Sequence, residues 1–442
     1  MRDLLLVGFL FVAIYYSFKK PFIGVAAWIW IALTAPPAWA FGFSRHFRLN
    51  LTIVLVTALA YFVYKNKTKF HFTAIHFWVF AFCFWMLVST IFSLRIDSAY
   101  TWEKYIEFLK VVTLFLFITL TVHKQLHVNT VVWAIVLAIS AYAGMEAVKF
   151  LLSGGGHRIV GKAGIISDRN DLAVAINMCL PLIIYLGSVT EHRYLKNGLI
   201  FLALLNAVAI VGTYSRGGFV GLSMVVFALW LKSNRKLIYA LIACTLLPVL
   251  YANAPNDWKE RQSTVETAAT DDGSFIGRLW AWKIATLIAI DNPFTGGGFK
   301  ATTDPVLWHT YAPYTPDFGP IETPPIPDDL LPKAAHNIYF QVLGSAGFVG
   351  LLIFGIMGFT AFLNCRRNAK KARQEGSKWK ESISSAITVS IVGYGVTGMN
   401  VSLAYFELVY ALLALIVVVA HIEDQPKSFN NHWVKEKSIG TK

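Results

Sequence analysis

Four residues in this sequence join a useful chemistry to a telling position. Arg216 lies in Thr213-Tyr214-Ser215-Arg216-Gly217-Gly218, a connection of a few residues between two apolar stretches. Its guanidinium offers a planar fork of donors suited to phosphate, and the adjoining glycines let backbone approach a ligand closely. An arginine in that place can equally snorkel to lipid headgroups. Arg169, in Ser167-Asp168-Arg169-Asn170-Asp171, is a second candidate phosphate ligand; the plainer reading has Ser167 or Asp168 capping the next helix while the acids pair with the arginine. Arg278, in Gly277-Arg278-Leu279-Trp280-Ala281-Trp282, is a candidate phosphate or sugar ligand, although its tryptophans also suit an ordinary interfacial belt. His336, in Ala335-His336-Asn337-Ile338-Tyr339, titrates near neutral pH and can take a proton from a hydroxyl. A lone boundary histidine is more often capped or solvated. Convergence with three arginines on one face is what favours catalysis.

The elements that must position these residues are apolar. Of the 442 residues 56% are hydrophobic and only 14% charged, against roughly 25% charged in soluble domains. Several apolar runs reach the roughly 20 residues a bilayer crossing needs, so the chain reads as an all-α polytopic membrane protein. Soluble, disordered and fibrous classes are excluded. The net charge of +14, from 39 Lys and Arg, records membrane orientation better than a nucleic-acid groove, so no nucleic acid is expected as partner. Eleven spans are expected beyond the N-terminal region, at 49–64, 73–92, 106–122, 130–152, 172–189, 197–213, 217–231, 236–252, 337–363, 382–400 and 403–421. Residues 1–43 hold one span or two short ones about Lys19-Lys20; one is favoured, giving twelve rather than thirteen with both ends inside. The opening stretch has no small-residue cleavage site before Lys19 and reads as a retained span.

Arg366 to Lys380 carries seven basic residues against one Glu and should stay cytoplasmic. Lys65-Lys67-Lys69, Lys232 to Lys236 and the tail after His421 fall on the same side by alternation. The chain then divides into an N-terminal bundle (1–252), a large outer loop (253–336), C-terminal spans (337–421) and a cytoplasmic tail (422–442). The loop holds ten of the sixteen prolines, so much of it must be irregular. Ser274 to Ala289 lacks proline and has the pattern of an amphipathic helix near the interface. A structureless loop of that length is improbable unless functional.

Metal ligation is the weaker reading of the acid pairs Asp271-Asp272 and Asp328-Asp329, because neighbours on an extended chain point apart. Cys83, Cys179, Cys244 and Cys365 show no C-x-x-C spacing. Glu107, Lys110, Glu146, Lys149 and Glu407 are costly in lipid and should face the bundle interior or the interface, with Glu146 and Lys149 spaced to pair. Neither metal nor cofactor is expected.

Ser215-Arg216-Gly217 between spans, Gly277-Arg278-x-x-x-Trp282, Pro293-x-x-Gly296-x-Gly298 and His336-Asn337 before a late span occur in the order seen in the O-antigen ligase and polymerase superfamily, which the chain resembles. Lys20-Pro21-Phe22-Ile23-Gly24-Val25 with Trp28 and Trp30 further resembles the putative O-glycosylation ligases associated with exosortase systems. The resemblance implies a GT-C-like bundle with one large periplasmic loop, in the bacterial inner membrane. It implies a metal-independent, inverting transfer of a glycan from undecaprenyl diphosphate to a sugar hydroxyl of lipid A-core. His336 matches the family's base, and Arg216 and Arg278 its diphosphate-binding arginines; acids flank Arg169 where the family often has an asparagine-containing motif. Asn337, Asn170, Ser215, Tyr339 and Trp282 are candidates for holding the acceptor or supporting the site. A glycan polymerase or a protein O-glycosylation ligase shares this equipment. A multi-pass transporter would instead show paired repeats and broken helices at mid-membrane.

Overall fold

The computed structural model describes residues 2–40, 42–162, 164–232, 236 and 273–423. Most of the expected span at 236–252, with Cys244, Asp271-Asp272 and the tail beyond 423, lies outside the described residues. Within them the chain is all helical, without a strand, and is a multi-pass membrane protein. Six described helices are long and apolar enough to cross a bilayer: α4 (Ala74–Ile91), α6 (Gln125–Leu152), α7 (Arg169–Val189), α8 (Arg193–Gly212), α12 (Ile338–Gln374) and α13 (Lys378–Thr397), the last extended by a 3-10 turn to Asn400. Shorter apolar helices are α2 (Pro21–Thr34), α3 (Leu49–Val63), α9 (Arg216–Lys232) and α14 (Glu407–His421). Between these run α1 (Arg2–Lys19), α5 (Ser98–Thr121), α10 (Gly273–Asp291) and the short α11 (Pro305–Tyr311).

Six described helices are full spans by length and composition and four more are shorter apolar helices, which supports an all-α membrane protein without fixing the count at twelve. One expectation changes. Residues 1–43, where one span was favoured, hold two helices that fold back at Lys20. Proline at the first position of α2 is preset for a helix start and needs no N–H there, which lets the chain turn sharply. Ser44 closes the hairpin by donating its N–H (3.1 Å) and its hydroxyl (2.6 Å) to Asp3 Oδ1.

Lys69, Lys124, Glu191, Lys378 and His421 line one cavity of about 1330 Å³ at one end of the bundle. The 164–171, 299–303, 333–336 and 402–407 segments gather around two smaller cavities. At that same end Glu146 binds Lys149 at 2.6 Å, the expected pair, and also His157 at 2.6 Å.

Helix α7 forms the axis, apolar nearly all round and packed by α6, α8, α9 and α13. Away from that axis, buried aromatics such as Phe82 on α4 and Phe108 on α5 pack on one another, ring centres 5.7 Å apart. Helix α12 breaks at Gly347, whose φ of 67° favours glycine. The break leaves carbonyls without their helical donors, and the Pro293–Gly298 strip supplies replacements: Gly297 N–H donates to Gly344 O (2.9 Å) and Gly298 N–H to Ser345 O (3.0 Å). Trp85 Nε1 on α4 donates to Ala346 O (3.2 Å) and Phe294 O (3.1 Å). A Cβ on Gly347 would lie 2.5 Å from Pro293 O, and one on Gly296 2.6 Å from Gly347 N. The Pro-x-x-Gly-x-Gly pattern is therefore the seam joining the large loop to a broken helix.

The loop is ordered by its own small core. Ile276, Trp280, Ile284 and Ile288 on α10 pack on Leu307, Trp308 and Tyr311 of α11. Beyond α11, from 315 to 337, no helix forms. That stretch is pinned from α10 instead: buried Lys283 Nζ donates to Thr315 O (2.6 Å), and Trp280 Nε1 to Pro324 O (2.9 Å).

Candidate active site

Arg169 and Asn170 open α7, where the Asp168 carboxylate accepts Asn170 N–H at 2.7 Å and caps the helix. Arg278 lies in the second turn of α10, and His336 immediately precedes the Asn337 cap of α12. Asp168, Arg169, Asn170, Gly277, Arg278, Lys333, Ala334 and His336 line a single cavity of about 400 Å³. Three cations and one acid face it, so the space is electropositive around a histidine. The expected convergence of Arg169, Arg278 and His336 is present in the geometry.

His336 is held in a left-handed conformation, φ 43°, which a residue with a Cβ adopts only when its surroundings compel it. Two contacts do so. Its N–H donates to Ser402 Oγ (3.0 Å), and Trp282 Nε1 donates to the preceding Ala335 O (2.6 Å) while the indole stacks on Phe340 with ring centres 5.1 Å apart. Burial first, then the Arg278 charge and Lys333, hold the imidazole below its ordinary value of 6.5, against an upward pull from Asp168. The ring is thus neutral, and able to accept a proton, at neutral pH.

Arg216 stands one step back. It is half-buried in the first turn of α9, outside the lining of the 400 Å³ cavity. Two links tie its turn to the site. Ser215 Oγ donates to Asn170 Oδ1 (2.7 Å) and accepts Gly218 N–H (3.1 Å), while Arg278 Nη1 donates to Asn400 Oδ1 (3.2 Å), whose side chain lies where a Cβ on Gly217 would be (2.7 Å). The glycines after Arg216, read as room for a ligand, serve packing instead: a Cβ on Gly218 would meet Ala173 at 2.7 Å.

The five residues read as acceptor ligands or supports divide clearly. Asn170 faces the cavity. Ser215 and Trp282 make the links above, Asn337 Oδ1 accepts Tyr339 N–H (2.9 Å) as the α12 cap, and Tyr339 OH donates to Gly395 O (2.9 Å). Lys333, Asn400 and Ser402 are the residues that sequence reasoning passed over. Lys333 carried the signal that exposed Arg216, a basic residue in a stretch read from sequence as outer, and Gly277 makes room for it, since a Cβ there would lie 2.7 Å from Nζ. Asn400 and Ser402 carried no pattern. Among the described residues no three His, Cys, Asp or Glu side chains converge to hold a metal ion, and Asp328 and Asp329 are exposed.

Residues 201–355, which contain Arg216, Arg278 and His336, match the O-antigen ligase family. That match supports membership of the O-antigen ligase superfamily through this segment. Residues 1–190 match a family of unknown function, and no curated protein matches the chain. The superfamily is one of ligase- and polymerase-like enzymes, which accords with a neutral histidine beside clustered cations.

Proposed function

We propose that this protein is an O-antigen ligase of the bacterial inner membrane, with a GT-C-like bundle and a site facing the periplasm. It moves a glycan from undecaprenyl diphosphate to a sugar hydroxyl of lipid A-core. The observation that carries this reading is the single cavity that brings His336 together with Arg169, Arg278 and Lys333. Those cations bind the donor's diphosphate, with Arg216 and Asn400 behind them. As the acceptor oxygen forms its bond to the anomeric carbon, His336 takes the hydroxyl proton. The bond from that carbon to the diphosphate oxygen breaks, and the leaving group's growing charge falls on fixed guanidinium groups, which need no reorganisation at that moment. A direct displacement of this kind inverts the anomeric centre.

A polymerase would use the same residues with a second lipid-linked glycan as acceptor. Deleting the gene separates the two. A ligase leaves full-length glycan on undecaprenyl diphosphate and none on the lipid A-core; unchanged attachment with altered chain length would replace this reading with the polymerase. The purified enzyme should also turn over in EDTA, because the arginines occupy the electrostatic role of a divalent cation. Loss of turnover in EDTA restored by Mg²⁺ or Mn²⁺ would refute that assignment.

A further inference from the structure

A second cavity, of about 680 Å³, adjoins the candidate active site, within the roughly 300–1,000 Å³ of small-ligand sites. Ala334 lines both cavities, and the chain at 334–336 is the wall between them. Ser402, which fixes the His336 N–H, also lines the second one. Its walls mix hydrogen-bonding side chains with aromatic faces, among them Asn50, Lys110 and Glu407 with Trp28, Phe299 and Tyr405. Glu407, the first residue of α14, has its Oε2 buried with no hydrogen-bond partner. A buried carboxylate oxygen left without a donor is costly, and a ligand hydroxyl would satisfy it. Sugars carry hydroxyl donors on their edges and C–H faces that pack on aromatic rings, whereas a prenyl chain would leave these polar groups unmet. At the cavity's side, Asn50 on α3 and Glu107 and Lys110 on α5 are exposed, which gives a lipid-tethered saccharide a lateral way in.

We infer that this cavity receives the acceptor's sugar, with Glu407 accepting a hydrogen bond from one of its hydroxyls, and presents it to His336 across the 334–336 wall. The inference rests on the ligase reading and adds to it a specificity-determining residue remote from the arginines.

Equilibrium binding to the full-length protein in detergent tests it, with three probes: lipopolysaccharide lacking O-antigen, undecaprenyl diphosphate, and undecaprenyl diphosphate carrying its glycan. Glu407→Gln should weaken binding of the first about tenfold and leave the other two unchanged. Asn50→Leu, at the exposed rim and clear of the core, should weaken the same probe in a variant whose packing is untouched. Arg278→Ala should instead weaken the two diphosphate probes. Unchanged lipopolysaccharide binding in both Glu407→Gln and Asn50→Leu would overturn the inference while leaving the donor site standing on Arg278→Ala. Loss of only the glycan-bearing donor in Glu407→Gln would also overturn it, because the cavity would then hold the donor's sugar. Failure of wild-type protein to bind any of the three would overturn the ligase reading and this inference with it.

Discussion

At the scale of the residue, His336 is defined by what surrounds it. Its imidazole sits below the ordinary histidine value because burial and the Arg278 charge oppose protonation, with Lys333 adding and Asp168 subtracting. Turnover should therefore fall only as pH drops through a value below 6.5. Lys333→Gln removes a charge that lowers the value, so its acid limb should move up; Asp168→Asn removes the opposing acid, so its limb should move down. A pH profile of kcat for the two variants checks both directions, and limbs that stay in place would show that His336 is not the titrating group. Ser402→Ala leaves both ring nitrogens intact and removes the contact that holds the His336 N–H. We expect kcat to fall roughly tenfold, the cost of about one hydrogen bond, with donor affinity unchanged; equal loss in both measures would assign Ser402 to donor binding.

At the scale of the element, the broken helix α12 explains why a glycine motif far from the arginines belongs to the same enzyme. The Pro293–Gly298 strip repairs the break at Gly347 and in doing so fixes the far end of α10. Gly347→Ala forces a Cβ into Pro293 O at a positive φ and should cost about 1–3 kcal/mol. Gly355→Ala, in the same helix with open space around it, should be neutral or slightly stabilising. Thermal unfolding in detergent compares them, and equal melting temperatures would contradict the seam. The helices themselves were readable from hydropathy: the expected 73–92 and 172–189 appear as Ala74–Ile91 and Arg169–Val189. Arg169, Arg278 and His336 were readable because charge and titratable groups stand out against apolar sequence. The seam was not, since hydrogen bonds between a loop and a helix break leave no periodicity. Asn400 and Ser402 were hidden for a related reason: each works through one polar contact that only the folded chain creates.

At the scale of the whole molecule, the two ends differ in the residues they gather. The basic segments meet around one cavity, and His336 and the arginines meet at the other end. Single cysteines placed at Asp328 and at Lys371, in a chain whose own cysteines are replaced, should label oppositely in intact spheroplasts, with only the first reached by an impermeant reagent. Labelling of Lys371→Cys alone would put the site on the cytoplasmic face and end the lipid-linked donor reading. The most direct measurement is transfer in proteoliposomes that contain the purified protein, glycan-bearing undecaprenyl diphosphate and lipopolysaccharide lacking O-antigen. Wild-type protein should join the two. His336→Ala should bind donor as tightly but transfer roughly 10²- to 10⁴-fold more slowly, whereas Arg278→Ala should lose donor affinity and rate together. Full transfer by His336→Ala, or loss of its donor binding while Arg278→Ala still binds, would contradict the assignment of a base beside a diphosphate clamp.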